Sequence, residues 1–131
     1  MDCIFCEIAK RNINSNFVYE DDLVMAIMDI NPICDGHVLI IPKDHYQTVF
    51  DVPKDVLMHM YEVAEKLTPT LMKATNEKGL TLSINYGDKQ EIKHLHLHLV
   101  PNFEKKPSKK MEDVYKLIMD ELNEKKIEKE S

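Results

Sequence analysis

The chain has 131 residues, 44% of them hydrophobic and 31% charged, the balance of an ordinary soluble globular protein with length for one domain and its core. Its net charge of −6 lies wholly in residues 1–103, which hold 15 acidic against 9 basic residues, while 104–131 hold 8 of each. That distribution argues against a surface that grips long nucleic acid, and no apolar run approaches the roughly 20 residues of a membrane span.

Residues 1–9 lack a basic n-region and a long apolar stretch, so no secretory leader is expected and a cytoplasmic location is. The cysteines are Cys3, Cys6 and Cys34. An odd number without a leader argues against a disulfide framework. The C-x-x-C of Cys3-Ile4-Phe5-Cys6 is by itself compatible with redox chemistry, metal binding or neither. Asp2 reads as an N-cap for a short helix over Cys3 to Arg11, with Ile4, Phe5 and Ile8 at helical spacing. Phe17–Glu20 and Leu23–Asp29, split by Asp21-Asp22, read as a strand pair with a tight turn. After loop signals at Asn31-Pro32 and Asp35-Gly36, the unbroken apolar run Val38–Ile41 suits a buried central strand.

Asp51 and Pro53 start a long helix. Its stripe is Val56, Leu57, Met60, Val63, Ala64, Leu67, Leu71 and Met72. Pro69 is expected to kink or end a segment of it, with Gly79 as C-cap. Thr81–Tyr86 reads as a strand and Gly87–Lys93 as a loop. His94–Val100 reads as a strand and about 109–126 as a final helix, with Met111, Val114, Leu117, Ile118 and Leu122 on one side. Helix, three strands, long helix, two strands and helix, with short links between strands, give an α+β domain built on an antiparallel sheet. Residues 1–131 are read as a single domain.

The strand His94-Leu95-His96-Leu97-His98-Leu99-Val100 concentrates the chemistry. Its histidines fall at every second position, so on an extended strand they share one face and the leucines the other. Same-face neighbours lie about 6.5–7 Å apart, within reach of one phosphate or one metal. Histidine is not a favoured strand residue, so the pattern is unlike an incidental polar face. Two chemistries fit. A neutral imidazole can attack phosphorus if its other nitrogen donates a hydrogen bond, with His96 the natural nucleophile. Alternatively, strand histidines can ligate a catalytic zinc, with Glu91 near in sequence as a further acidic group.

The triad, with Cys-Ile-Phe-Cys-Glu-Ile at the N-terminus, Met28-Asp29-Ile30-Asn31-Pro32, Gly36-His37-Val-Leu-Ile-Ile-Pro-Lys-Asp-His45 and Asn85-Tyr86-Gly87, resembles the histidine triad nucleotide-binding family over residues 3–102. The resemblance implies a five-stranded antiparallel sheet with flanking helices, paired with a second subunit in a homodimer. It implies a hydrolase or transferase acting at the α-phosphate of a purine nucleotide conjugate, either a nucleoside phosphoramidate or a dinucleoside polyphosphate. By that match His96 is the nucleophile, with His98 and His37 on the phosphate. Asn85 and Gln90 would bond the phosphate and leaving-group side, and Asp29 the ribose hydroxyls. Ile4, Phe5, Ile8, Ile27 and Ile30 would line the base pocket. Zinc-containing bacterial members imply a structural site at Cys3, Cys6, His45 and His94, two thiolates and two imidazoles. A zinc hydrolase using the triad as catalytic ligands and a nucleotide-binding protein with little activity remain the alternatives.

One stretch departs from the family. Asn85-Tyr-Gly-Asp-Lys-Gln90 is about two residues shorter and has only Gly87 where a glycine pair is common. Glu91 stands where Ser or Thr often binds phosphate. A carboxylate there repels phosphate unless turned away or paired with Lys89 or Lys93, and Lys89 could lend its charge to a longer polyphosphate.

Overall fold

The computed structural model describes residues 3–130, with side chains through 124. Helix α1 (Ile4–Ala9) is followed by strands β1 (Phe17–Glu20), β2 (Val24–Met28) and β3 (Val38–Pro42). Helix α2 (Lys54–Thr75), strands β4 (Thr81–Ile84) and β5 (Leu97–Val100) and helix α3 (Met111–Glu130) complete the order. The five strands form one antiparallel sheet in the order β1-β2-β3-β5-β4, which puts β3 at its centre. Every residue of β2 and β3 is buried because both faces of the sheet are covered. Alternation sorts them. Val24, Ala26, Met28, Val38 and Ile40 join the core made with α2 and α3, while Met25, Ile27, Leu39 and Ile41 pack with Phe5 and Ile8 of α1.

The β1–β2 turn is made by Asp21, whose Oδ1 accepts from the Leu23 and Val24 amides at 2.9 Å. Its Oδ2 accepts from the Tyr19 hydroxyl at 2.7 Å and faces His59 Nε2 of α2 at 2.6 Å. This fixes the turn to the long helix and gives His59 its structural role.

Several expected boundaries move. Asp2 lies outside the described residues. The cap of α1 is Cys3, whose Sγ accepts from the Cys6 amide at 3.4 Å. Pro69 does not break α2, because it and Glu65, whose carbonyl loses its partner, are both exposed, where water substitutes. The helix is capped by Asn76 in the left-handed conformation (φ 57°), three residues before Gly79. Helix α3 starts two residues later than expected and extends to Glu130. Val114 and Ile118 are buried on it, whereas Leu117 faces solvent.

The largest shift is in the histidine segment. Only Leu97–Val100 pairs as a strand, so His94 and His96 precede it. In the β3–β5 register Val38 faces Leu99 and Ile40 faces Leu97, so continuation would bring Leu95 opposite Pro42, which has no N–H to give. The Leu95 amide instead donates to the Tyr46 carbonyl at 2.7 Å. Leu95, Leu97 and Leu99 still share the helix-side core, and the three imidazoles lie on the α1 side.

Candidate functional site

Pro42 governs the first histidine. Its carbonyl lies 2.8 Å from His94 Nε2, which therefore carries the proton and donates. Nδ1 of His94 is left with its lone pair, 3.2 Å from Cys3 Sγ, 3.6 Å from Cys6 Sγ and 3.1 Å from His45 Nδ1. Cys6 Sγ is 3.3 Å from His45 Nδ1. A tetrahedral zinc with Zn–N and Zn–S bonds of about 2.0–2.3 Å spaces its ligands by about 3.3–3.8 Å. The two thiols and two imidazoles converge at nearly that spacing, and the Pro42 carbonyl orients one of the rings from outside. These four residues could hold a metal ion. Burial and the Cys3 thiol raise Cys6 to about 11 without a metal, so loading the site would release protons.

The other two triad histidines point elsewhere. His96 Nδ1 lies 2.8 Å from the His94 carbonyl and donates to it, which leaves Nε2 as a free lone pair. His37, from the start of the run leading into β3, accepts from the Ile33 amide at Nδ1 (3.0 Å), so its proton sits on Nε2. That Nε2 donates to His98 Nδ1 at 3.0 Å and lies 3.5 Å from Asp29 Oδ2. With Nδ1 accepting, His98 carries its proton on Nε2; Asn85 Nδ2, itself a donor, stands 3.5 Å away and makes no hydrogen bond to the ring in this tautomer. These tautomers follow from the backbone groups that each ring meets. Asp29, His37 and His98 also lie close enough to share an ion. However, the Ile33 amide places a proton on the His37 nitrogen that would have to bind it, so this trio is set for hydrogen bonding.

Burial makes protonation of these rings unfavourable. His98 is lowered to about 4, with the neighbouring His96 and His37 adding to the effect, and burial lowers His37 against the pull of Asp29. Two neutral imidazoles therefore stand beside His96 near neutrality. The Phe5 ring meets His96 and His94 edge-on, with centroids 5.1 and 5.7 Å away, and packs α1 against both.

The free nitrogens open onto a cavity of about 290 Å³. At its apolar end are Ile4, Phe5, Ile8, Ile27 and Ile30, the residues expected there, together with Ile13, Ile33 and Leu39. Asp29, His37, Asn85, His96 and His98 line it as expected, and Lys89 and Glu91 stand at its rim. Asn14 and Ser15 also line it, without a sequence signal that singled them out. Gln90 stands apart from these residues. It is 5% exposed and not on the cavity wall; its Nε2 donates to the Gln47 carbonyl at 2.8 Å and its Oε1 accepts from the Gly87 amide at 3.2 Å. In the shortened loop the side chain is consumed in closing the turn instead of reaching a ligand. The three histidines likewise do not form one ligand set, because His94 faces the cysteines and the other two face the cavity.

A family model described as HIT domain matches residues 10–105. An Arabidopsis thaliana protein named adenylylsulfatase is 37% identical over 79% of this chain and 54% of its own length. A Candida albicans protein named adenosine 5'-monophosphoramidase is 37% identical over 76% of this chain and 69% of its own. Among solved structures, a Zn-bound histidine triad family protein from Mycobacterium smegmatis superposes with a TM-score of 0.87 at 29% identity, over 96% of each chain. Among the described residues, no helix is long and apolar enough to cross a membrane.

Proposed function

The chain belongs to the HIT domain family, and on that premise we propose that it is a nucleotidyl hydrolase or transferase cleaving at the α-phosphate through a covalent nucleotidyl-histidine on His96. The observation that carries this reading is the bond from His96 Nδ1 to the His94 carbonyl, which leaves Nε2 unprotonated at the cavity. An imidazole whose Nδ1–H is held in this way presents its Nε2 lone pair as the nucleophile. The names of the two relatives, an adenylylsulfatase and an adenosine 5'-monophosphoramidase, support the same bond position.

In this reading the apolar end takes the base and Asp29 accepts from the ribose hydroxyls. One oxygen of Asp29 is held by the Asn31 amide at 2.9 Å, which orients the carboxylate. His37 orients His98 beside the phosphate, and Asn85 lines the same cavity. The nucleotide's negative charge, entering next to a ring kept neutral by burial, raises that ring's affinity for a proton. His96 Nε2 bonds to phosphorus as the bond to the leaving group breaks, and His98 gives the departing atom its proton. Water then attacks phosphorus and passes a proton back to His98, and the His96–phosphorus bond breaks to release the nucleoside monophosphate.

Zinc is the ion best suited to Cys3, Cys6, His45 and His94, and in a closed four-ligand site it supplies structural cross-linking without a position for substrate. A homodimer is consistent with β4 lying at the edge of the sheet. The test is chemical quenching with adenosine phosphoramidate, followed by intact mass measurement. Wild type should carry one nucleotidyl group, and His96→Ala should carry none and lose at least about 10³-fold in turnover while still binding AMP. Retained turnover in His96→Ala would refute the mechanism.

A further inference from the structure

The rim of the cavity has an unusual charge balance for a site that receives phosphate. Among the described residues lining it, Lys89 is the single cation, against the two carboxylates of Asp29 and Glu91. Asp29 lies beside His37, with Oδ2 3.5 Å from its Nε2. Glu91 is exposed, and no described cation lies within ion-pair distance of it. Lys93, the other candidate to neutralise it, is turned away and donates from Nζ to the Gly87 carbonyl at 2.8 Å.

The segment that carries these charges is fixed. Gln90, between Lys89 and Glu91, is buried and bonds backbone on both sides, to Gly87 and to Gln47. Ile92, next to Glu91, packs against the α1-side core. Glu91 is therefore held between two anchored residues, which fixes its backbone at the cavity lining. The α-phosphate brings one negative charge that Lys89 can meet. A polyphosphate leaving group brings several more, with no further cation to receive them and a carboxylate beside them.

We propose that Glu91 selects the leaving group, and that the preferred substrate is a nucleoside phosphoramidate whose departing amine bears an additional, positively charged ammonium group, which Glu91 pairs. This rests on the nucleotidyl-transfer reading above and narrows its leaving group to cationic amines over neutral amines and second nucleotides.

The experiment compares kcat/KM for adenosine 5'-phosphoramidates of propylamine and of 1,3-diaminopropane, with diadenosine tetraphosphate as the anionic case. Wild type and Glu91→Gln are measured with and without 0.5 M salt. The diamine conjugate should be preferred by wild type about three- to tenfold at low salt, the effect of one partly solvated charge pair. That ratio should fall to about one in Glu91→Gln and shrink in wild type at high salt. Glu91→Gln should also narrow the gap to diadenosine tetraphosphate. A ratio near one in wild type, or one that survives in Glu91→Gln, would overturn the proposal. Faster cleavage of the tetraphosphate than of either amine conjugate would overturn it too, while leaving the hydrolase reading intact. If none of the three is cleaved and His96 takes up no nucleotidyl group, the underlying reading fails together with it.

Discussion

Gly36→Ala tests how the loop before β3 is built. Gly36 has φ +84°, and a Cβ placed on it would lie 2.5 Å from Thr75 Cγ2 and 3.3 Å from Pro101 Cγ. An L-residue in that backbone region costs about 1–2 kcal/mol. The contact with Thr75 is more than 1 Å inside normal carbon spacing of about 3.5–4.0 Å. Thr75 cannot rotate away freely, because its Oγ1 donates to the Leu71 carbonyl at 2.7 Å. Losing that bond or shifting the end of α2 adds about 1–2 kcal/mol, so Gly36→Ala should cost about 2–4 kcal/mol in all. Urea denaturation reads this as a fall in midpoint at unchanged slope. Thr75→Ser removes Cγ2 and keeps the hydroxyl, so the double variant should recover the clash and leave the backbone part, a coupling of about 1–2 kcal/mol. A loss below about 0.5 kcal/mol for Gly36→Ala, or no recovery in the double variant, would refute this account.

Acid should destabilise the fold in two stages. His98 is lowered to about 4 by burial, so the unfolded chain binds that proton first and stability falls as pH drops from about 6.5 towards 4. Asp21 is half-buried at its turn, and although that desolvation opposes ionisation, the bonds from Tyr19, His59 and the Val24 and Leu23 amides hold its carboxyl well below the usual range. Its contribution is present above about pH 4 and is lost as pH falls below that. Thermal melts from pH 7.5 to 2.5 should show both stages, with Asp21→Asn reducing the lower one. Chelation of metal from a loaded sample should lower Tm and weaken AMP binding, because the ligand set holds α1, which supplies Ile4, Phe5 and Ile8 to the cavity. Calorimetry that finds AMP affinity unchanged after complete metal loss would contradict that link. Gln90→Ala should cost about 1–3 kcal/mol by leaving the Gln47 carbonyl and the Gly87 amide unpaired, and a denaturation midpoint equal to wild type would exclude the clamp.

Much of the architecture was legible locally. The uninterrupted run Val38–Ile41 marked a strand covered on both faces, and the stripe from Val56 to Leu71 marked the face of α2 that packs on the sheet. The C-x-x-C and the alternating histidines also marked the residues that the fold brings together. Boundaries were less legible where a solvated backbone group removed a penalty. Pro69 is tolerated because the orphaned carbonyl of Glu65 is on the wet side of the helix. Gln90 was expected at a phosphate because of its neighbours in sequence, whereas its carboxamide is turned inward onto the Gln47 carbonyl and the Gly87 amide.

Local order along the chain determined which side chains are available: a histidine at every second position, a thiol pair one helical turn apart, and an apolar helix to carry them. Alternation by itself left the three histidines equivalent, and their separate tasks were an expectation from the motif resemblance; neither could say which ring nitrogen of each keeps its proton. That was decided by backbone groups distant in sequence, the Pro42 carbonyl on His94 and the Ile33 amide on His37, and by the His94 carbonyl on His96. Each fixes which ring nitrogen keeps its proton. An imidazole can serve as metal ligand, nucleophile or proton donor, and the hydrogen bond at its far nitrogen selects among them. Only the folded sheet supplies those bonds.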